Sequence, residues 1–411
     1  MSLPFDVKDL SISVLTCVRC RGCIWTDLPE LFSICPSYEK YGFYAFSGSG
    51  KISVAKAIVL SSVQFDKSVA DVFYKCTMCG ACQENCSGPF GKKLFGENYL
   101  RKGFTNLVDI IQFIREQLVE RGIVLSEHKS FIKNTIKFGN PFVPNRERLK
   151  WTESLNFKIK DLMKENAEVL FYPGCMYSLE PQLIETTRRF AQVLQTANVD
   201  YGFLGESEIC CGAIQLQLGE RGLFEEIAKN NIETLNSLGI EKLVTPCPHC
   251  YYALKELCPK VATINFEVTH ITQFLNRLIQ DGQIKLITPL DLTVTYHDPC
   301  NLSRFTRTCN EPRKILAALK GVETIEMPRT REQTWCCGAG GGVMVAYPEF
   351  MRWTANERIK EAEATGSSTL VTACPWCEYS FKQVLSEEKH GITLKNIIEL
   401  LWDSMTLKLF G

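Results

Sequence analysis

Two spacings of apolar residues alternate along this chain, and the change from one to the other marks its elements. Residues 104–120 repeat apolar side chains at helical spacing, which predicts an amphipathic helix. Short apolar runs at Val169–Tyr172 and Leu292–Tyr296 read as buried strands, each leading into a cysteine, Cys175 or Cys300. Helical patterns follow at about 180–197 and 347–365. The segments THITQFLNRLIQ (269–280) and LKNIIELLWDSM (394–405) share one amphipathic spacing and predict equivalent helices. No apolar run approaches the roughly 18 residues of a membrane span, so any membrane link has to come through a partner or a surface helix.

The similarity between the two later stretches extends to their cysteines. Cys175, Cys211 and Cys250 map onto Cys300, Cys337 and Cys377 at offsets of 125, 126 and 127 residues, with EICCGA matching TWCCGA and VTPCPHCYYALKE matching VTACPWCEYSFKQ. This is an internal duplication of an α/β unit. With a helical N-terminal module before it, the expected fold class is α+β. The expected boundaries are 1–137 for that module, 138–165 for a linker, and 166–285 and 286–411 for the repeats. The linker reading rests on Gly139, Pro141, Pro144 and the basic run after them.

Composition matters mainly through one residue type. Lys plus Arg equals Asp plus Glu at 46 each, which removes the electrostatic case for nucleic acid or an anionic membrane surface as main partner. Cysteine, at 20, is in excess. Met1–Leu10 already carries Asp6, Lys8 and Asp9 and does not read as an export leader, so a cytoplasmic location with reduced thiols is expected. Spacing then favours metal over disulfides.

The run Cys76-x2-Cys79-x2-Cys82-x3-Cys86 has the spacing that wraps a [4Fe–4S] cube, and Gly80 and Ala81 keep the backbone close to it. Upstream, Cys17-x2-Cys20-x2-Cys23 is followed by Cys35-Pro36 after an insertion of eleven residues instead of three. In two-cluster ferredoxins the fourth cysteine of each run serves the other cluster. The expected sets are therefore Cys17, Cys20, Cys23 and Cys86 on one cube, and Cys76, Cys79, Cys82 and Cys35 on the other.

Each repeat carries five cysteines, C-x34-CC-x35-C-x2-C at 175, 210, 211, 247 and 250, and C-x35-CC-x36-C-x2-C at 300, 336, 337, 374 and 377. Five exceeds the need of one tetrahedral zinc or one cube. Adjacent cysteines point in different directions and suit a metal assembly in which neighbouring thiolates hold different irons. Pro248 and Pro375 suit the first position of a helix whose N-terminus favours the thiolate form.

On these motifs the sequence resembles the CCG-domain iron–sulfur proteins, most closely the catalytic subunit of heterodisulfide reductase in its fused form. That resemblance covers nearly the whole chain. It implies two cubane and two noncubane [4Fe–4S] clusters, the latter on Cys175, Cys210, Cys211, Cys247 and Cys250 and on Cys300, Cys336, Cys337, Cys374 and Cys377. It further implies a subunit of a hetero-oligomeric complex, reducing a disulfide with electrons from a flavoprotein, a ferredoxin or a membrane cytochrome. The architecture is also similar to the iron–sulfur subunits of glycolate, lactate and glycerol-3-phosphate dehydrogenases and to partners of electron-transfer flavoproteins, where the chain is a conduit. A non-catalytic metal-binding protein is the remaining alternative.

Disulfide reduction needs protons, and His297 and Asp298, just before Cys300, are candidate donors, the alternative being a turn-forming Asp and a His that only supports a cluster ligand; Tyr172 is the counterpart of His297. His249 and its counterpart Trp376 read as packing or hydrogen-bonding residues inside the cluster loops. Gly338–Gly342 reads as close backbone approach, not a nucleotide loop, and Ser47–Lys51 as cap and turn chemistry, since Ala45 and Ile52 break the Walker pattern. Cys258 and Cys309 fall outside every set and read as ordinary buried thiols. Because the ligand sets of the two modules do not overlap in sequence, the modules are expected to assemble independently.

Overall fold

The computed structural model describes residues 14–405 apart from 16, 18, 27–29, 31, 87–105 and 143–146. Pro144, and residues 104–105 of the first predicted helix, lie outside the described residues.

The N-terminal module is helical, with helices at Pro36–Tyr41, Gly48–Val59, Lys67–Tyr74, Leu107–Glu120 and Ser126–Phe138. The helix predicted from residue 104 is described from Leu107. It buries Leu107, Ile110, Ile111, Ile114 and Leu118, the i, i+3, i+4, i+7, i+11 stripe that the spacing foretold, against Ile52, Ala55 and Phe73. Asp66 starts Lys67–Tyr74 by accepting from the Val69 N–H at 2.8 Å.

Both repeats fold as wholly parallel sheets that share a four-strand topology, to which the first adds one edge strand. The first contains β1 (Lys160–Asp161), β2 (Val169–Phe171), β3 (Tyr201–Phe203), β4 (Lys242–Thr245) and β5 (Glu267–His270), in the order β1-β3-β2-β4-β5. The second contains β6 (Leu292–Tyr296), β7 (Val322–Thr324), β8 (Thr369–Thr372) and β9 (Thr393–Asn396), in the order β7-β6-β8-β9. Two sequence expectations shift. Lys160–Asp161, assigned to the linker, pairs with Gly202 and Phe203, and Trp151 is fully buried in the repeat core, so this stretch belongs to the first repeat. The segments 269–280 and 394–405 are not helical throughout: His270 and Asn396 close a strand and then cap the helices Ile271–Gln280 and Ile397–Met405.

One apolar core runs through both repeats and a second fills the N-terminal module. A third, small cluster of Ile34, Cys79, Ala81 and Cys336 forms where the module meets the second repeat. Arg115 ties all three parts together. Its buried guanidinium donates to the carbonyls of Phe73, Cys76, Gln217 and Gly341, which supplies a full set of acceptors to a charge removed from water.

Candidate metal centres

In each sheet the chain leaves the central strand toward one edge and returns on the other side, from β2 to β3 and then β4, and from β6 to β7 and then β8. This is the switch point at which parallel sheets open a crevice beyond the carboxyl ends of their strands. Cys175 follows β2, and Cys247 and Cys250 follow β4; Cys300, Cys374 and Cys377 stand equivalently after β6 and β8. The loops after β3 and β7 carry the adjacent pairs Cys210-Cys211 and Cys336-Cys337 into the same crevices. Pro248 and Pro375 occupy the first turn of their helices, with Cys247 and Cys374 as N-caps.

The result is two small cavities, one lined by all five cysteines of the first repeat and the other by all five of the second. His249 and Trp376 line both cavities, with ring centroids 5.3 Å apart, and so form a common wall. Nδ1 of His249 is buried there without a hydrogen-bond partner. Within each set, S–H donation from neighbouring thiols holds the second cysteine of the pair below the ordinary thiol range: Cys210 and Cys250 act on Cys211, and Cys336 and Cys377 on Cys337. Neighbouring thiols and burial hold Cys175, Cys250 and Cys336 above that range, and burial raises Cys377. Five converging thiols, of which Cys211 or Cys337 loses its proton most readily, form a donor set suited to soft metals, which replace the remaining protons.

The two sites differ in their surroundings. At the first, Arg148 Nη2 donates to Cys175 Sγ at 3.8 Å, while Glu208 pairs with the other arm of the guanidinium. At the second, Arg358 Nε donates to His297 Nδ1 at 3.1 Å, which leaves the His297 Nε2–H to donate to Cys337. Burial keeps that imidazole below its usual range, so it is a neutral donor to a thiolate. Asp298 spends both carboxylate oxygens on Arg313, at 2.7 and 2.9 Å, and also accepts from the Arg331 N–H. Asp298 thus sits in a buried ion pair with Arg313. Neither residue is among those lining the thiol cavities.

In the N-terminal module, Cys35 lies within electrostatic reach of Cys76 and Cys79, and Cys82 within reach of Cys76, Cys35, Cys23 and Cys79. Cys17 and Cys86 pack on the N-terminal core, and Cys20 is exposed. Ser47 caps the helix Gly48–Val59 as expected, but the segment does more. A Cβ at Gly48 would stand 2.8 Å from the Cys82 Cβ and 3.1 Å from that of Cys23, closer than side chains pack, so only glycine lets this helix enter between the two cysteine runs. Ser49 N–H donates to Cys23 Sγ at 3.1 Å, and the fully buried Lys51 favours the Cys35 thiolate. The loop Gly338–Gly342 lies on the cysteine run, where a Cβ on Gly341 would meet the Cys76 carbonyl at 2.4 Å.

Cys79 and Cys336 pack in one buried cluster across the module boundary. Arg304, from the second repeat, donates to the Cys79 carbonyl at 3.2 Å. One thiol of the N-terminal run thus lies beside one thiol of the second repeat. Cys258 and Cys309 are buried outside the cavities; burial raises Cys258 to about 12, and Cys309 donates to the Ser303 carbonyl and to Glu332. Arg148 and Arg358 carried no motif, and Ser49 and Lys51 lay in a segment read only as cap and turn; their positions in the fold disclose their roles.

Comparison with known proteins agrees with this geometry. Residues 169–255 and 294–382 each match the family described as Cysteine-rich domain (CCG), and residues 13–88 match a 4Fe-4S dicluster domain. The chain is 30% identical to one subunit of the dihydromethanophenazine:CoB--CoM heterodisulfide reductase of Methanosarcina barkeri, over 98% of this chain and 97% of that one. The same subunit in Methanosarcina acetivorans is 31% identical over 98% and 97%. EtfAB:quinone oxidoreductase of Syntrophomonas wolfei is 28% identical over 84% of this chain and 48% of its own length. Among solved structures, a hypothetical protein from Helicobacter pylori shares the fold at a TM-score of 0.54 and 11% identity, over 88% of this chain and 68% of that one. Among the described residues no helix is long and apolar enough to cross a membrane. With a dicluster module, two complete five-cysteine repeats and full-length similarity, this chain belongs to the family of CCG-domain iron–sulfur oxidoreductases that contains these heterodisulfide reductase subunits.

Proposed function

We propose that this chain is the disulfide-reducing subunit of a cytoplasmic electron-transfer complex. In this reading Cys17, Cys20, Cys23 and Cys86, and Cys76, Cys79, Cys82 and Cys35, hold two cubane [4Fe–4S] clusters, and the two five-cysteine sets hold two noncubane ones. When bound, these groups supply one-electron storage and sulfur affinity. The observation that carries the proposal is the common wall of His249 and Trp376 between the two five-thiol cavities. A disulfide takes two electrons and two protons, R–S–S–R′ + 2 e⁻ + 2 H⁺ → R–SH + R′–SH, and adjoining sites can each attend to one sulfur.

The chain's own residues supply direction and charge balance. Cys79 packs with Cys336 in one buried cluster, so electrons on that cysteine run have a short route to the second-repeat site, which the wall of His249 and Trp376 joins to the first-repeat one. Arg148 at Cys175 and His297 at Cys337 offset thiolate charge from buried positions beside the two sites. A flavoprotein, ferredoxin or membrane cytochrome would supply the electrons, arriving near the exposed Cys20. The second reading, a conduit serving a flavin dehydrogenase, draws on the similarity to EtfAB:quinone oxidoreductase. Iron and acid-labile sulfide analysis of anaerobically purified protein should find about four [4Fe–4S]-sized clusters per chain. A colourless, zinc-loaded protein would contradict both readings. Co-purification with a cytochrome b or hydrogenase-linked partner favours the reductase, and with a flavin dehydrogenase the conduit.

A further inference from the structure

The first turn of the helix Gly48–Val59 carries a cation in a place that disfavours one on two counts. Lys51 is 1% exposed, so its ammonium is removed from water, and the positive end of the helix dipole lies beside it. Its Nζ turns back past the helix start, donating to the Phe46 carbonyl and, at 3.5 Å, to Ser37 Oγ, with the Phe46 ring centroid 5.9 Å away. Among the described residues no carboxylate forms an ion pair with it. Lys75, which stands 5.5 Å from the same ring centroid, has Asp71 at 2.8 Å and so adds no net charge.

The groups around Lys51 lead to one set of cysteines. Cys35 Sγ donates at 3.8 Å to the same Phe46 carbonyl, and the Lys51 charge favours the Cys35 thiolate. Ser37, two residues on from Cys35, extends the contact: its hydroxyl accepts from Lys51 and donates to the Lys75 carbonyl, one residue before Cys76. Cys76 and Cys79 in turn lie within electrostatic reach of Cys35. The other run meets neutral groups instead. Cys23 Sγ accepts from the Ser49 N–H at 3.1 Å and donates to the Ser49 hydroxyl at 3.3 Å, and Cys20 is exposed to solvent.

We infer that Lys51 is the counter-ion of the cube held by Cys76, Cys79, Cys82 and Cys35, and that it makes this cube the more readily reduced of the two. A cube on four thiolates is a net anion and gains a further negative charge on reduction, so a cation held out of water beside it stabilises the reduced form most. Neutral donors and solvent dipoles at the other set act less strongly than a full buried charge. The step is the gain of one electron from the external low-potential carrier, with no bond broken and no proton moved. The inference rests on the proposed cluster assignment and adds a direction to it: an electron entering near the exposed Cys20 settles on the set that packs against Cys336.

Potentiometric titration of the anaerobic holoprotein, followed by EPR, tests this without any assay of disulfide turnover. In wild-type protein the two cubes should reduce in separate steps, and the one reduced first should be the one shielded from a soluble paramagnetic relaxing agent such as chromium oxalate. Lys51→Gln and Lys51→Met both remove the charge, the first keeping a hydrogen-bond donor. Either should lower the potential of the first-reduced cube by at least about 59 mV, a tenfold fall in its reduced-to-oxidised ratio at fixed poise, and leave the second cube unmoved. Lys51→Arg, which keeps the charge, should hold that ratio within about threefold of wild type. Wild-type protein whose first-reduced cube is the one open to the relaxing agent overturns the inference, an outcome that needs no variant to fold. Unshifted potentials in a Lys51→Gln or Lys51→Met protein with full iron overturn it as well, with the cluster assignment intact. Iron-replete wild-type protein without cubane signals contradicts the assignment itself and the inference with it.

Discussion

His297 stands where a motif-based reading wants an acid, and its two nitrogens are already committed. Arg358 occupies Nδ1, and Cys337 receives from the other side of the ring. A guanidinium cannot accept a proton back, so the imidazole is fixed as a neutral donor, a role in which an amide N–H is an adequate substitute. His297→Gln should therefore leave disulfide turnover within a few-fold of wild type, in place of the roughly 10²–10⁴-fold loss that removal of a general acid brings. Anaerobic turnover with an artificial donor, alongside iron content, checks this; a hundredfold fall at full iron would restore the acid role. Asp298 shows the same limit of local reading. Adjacent to the site in sequence, it turns away to Arg313, a partner 15 residues on that no spacing rule connects to it.

At the scale of elements, the cysteine sets were legible because metal ligation demands fixed spacings that the duplication repeats, and the strands were legible as apolar runs ending in cysteines. The helix starts were less so. His270 and Asn396 sit inside an unbroken amphipathic pattern, yet each ends a strand and caps the next helix: Thr272 N–H donates to His270 Nδ1, and Ile398 N–H donates to Asn396 Oδ1. Turn chemistry outranks periodicity there. Burial holds His270 down to about 3, and His128, on the helix Ser126–Phe138, down to about 4. Their folded values lie below the unfolded value near 6.5, so the unfolded chain binds more protons between about pH 6.5 and 4. Stability should accordingly fall as pH drops through 6.5, by up to about 1.4 kcal/mol per pH unit for each histidine. Denaturant midpoints at pH 7.5 and 5.5 measure the effect. His128→Gln should flatten the difference, and an unchanged difference would count against this origin.

Across the whole molecule, what sequence could not disclose is how the modules meet. Cys79 and Cys336 are far apart in the chain, and beside their contact stand Arg304 and Arg115, neither of which advertises a partner, and the Gly338–Gly342 loop, whose glycines signal a close approach but not to what. Arg148 lay in a stretch that reads as linker because its prolines and basic residues suit a loop; the fold gives it to Cys175. The contact between modules has a direct consequence. Cys79→Ser should disturb the spectroscopic signature of the second-repeat site as well as the cube it removes, while leaving the first-repeat site intact. EPR of the reduced variant separates the cases, and an unaltered second-repeat signal would show that the two thiols do not communicate.

The central claim is that two adjoining five-thiol sites reduce one disulfide. It is tested most directly by mixing iron-replete protein, reduced by an excess of artificial donor, with oxidised glutathione under anaerobic conditions and counting thiols against donor oxidised. The account predicts catalytic release of two thiols for every two electrons consumed. Protein that holds its full iron and takes up electrons from the donor, yet releases no thiol, would contradict it.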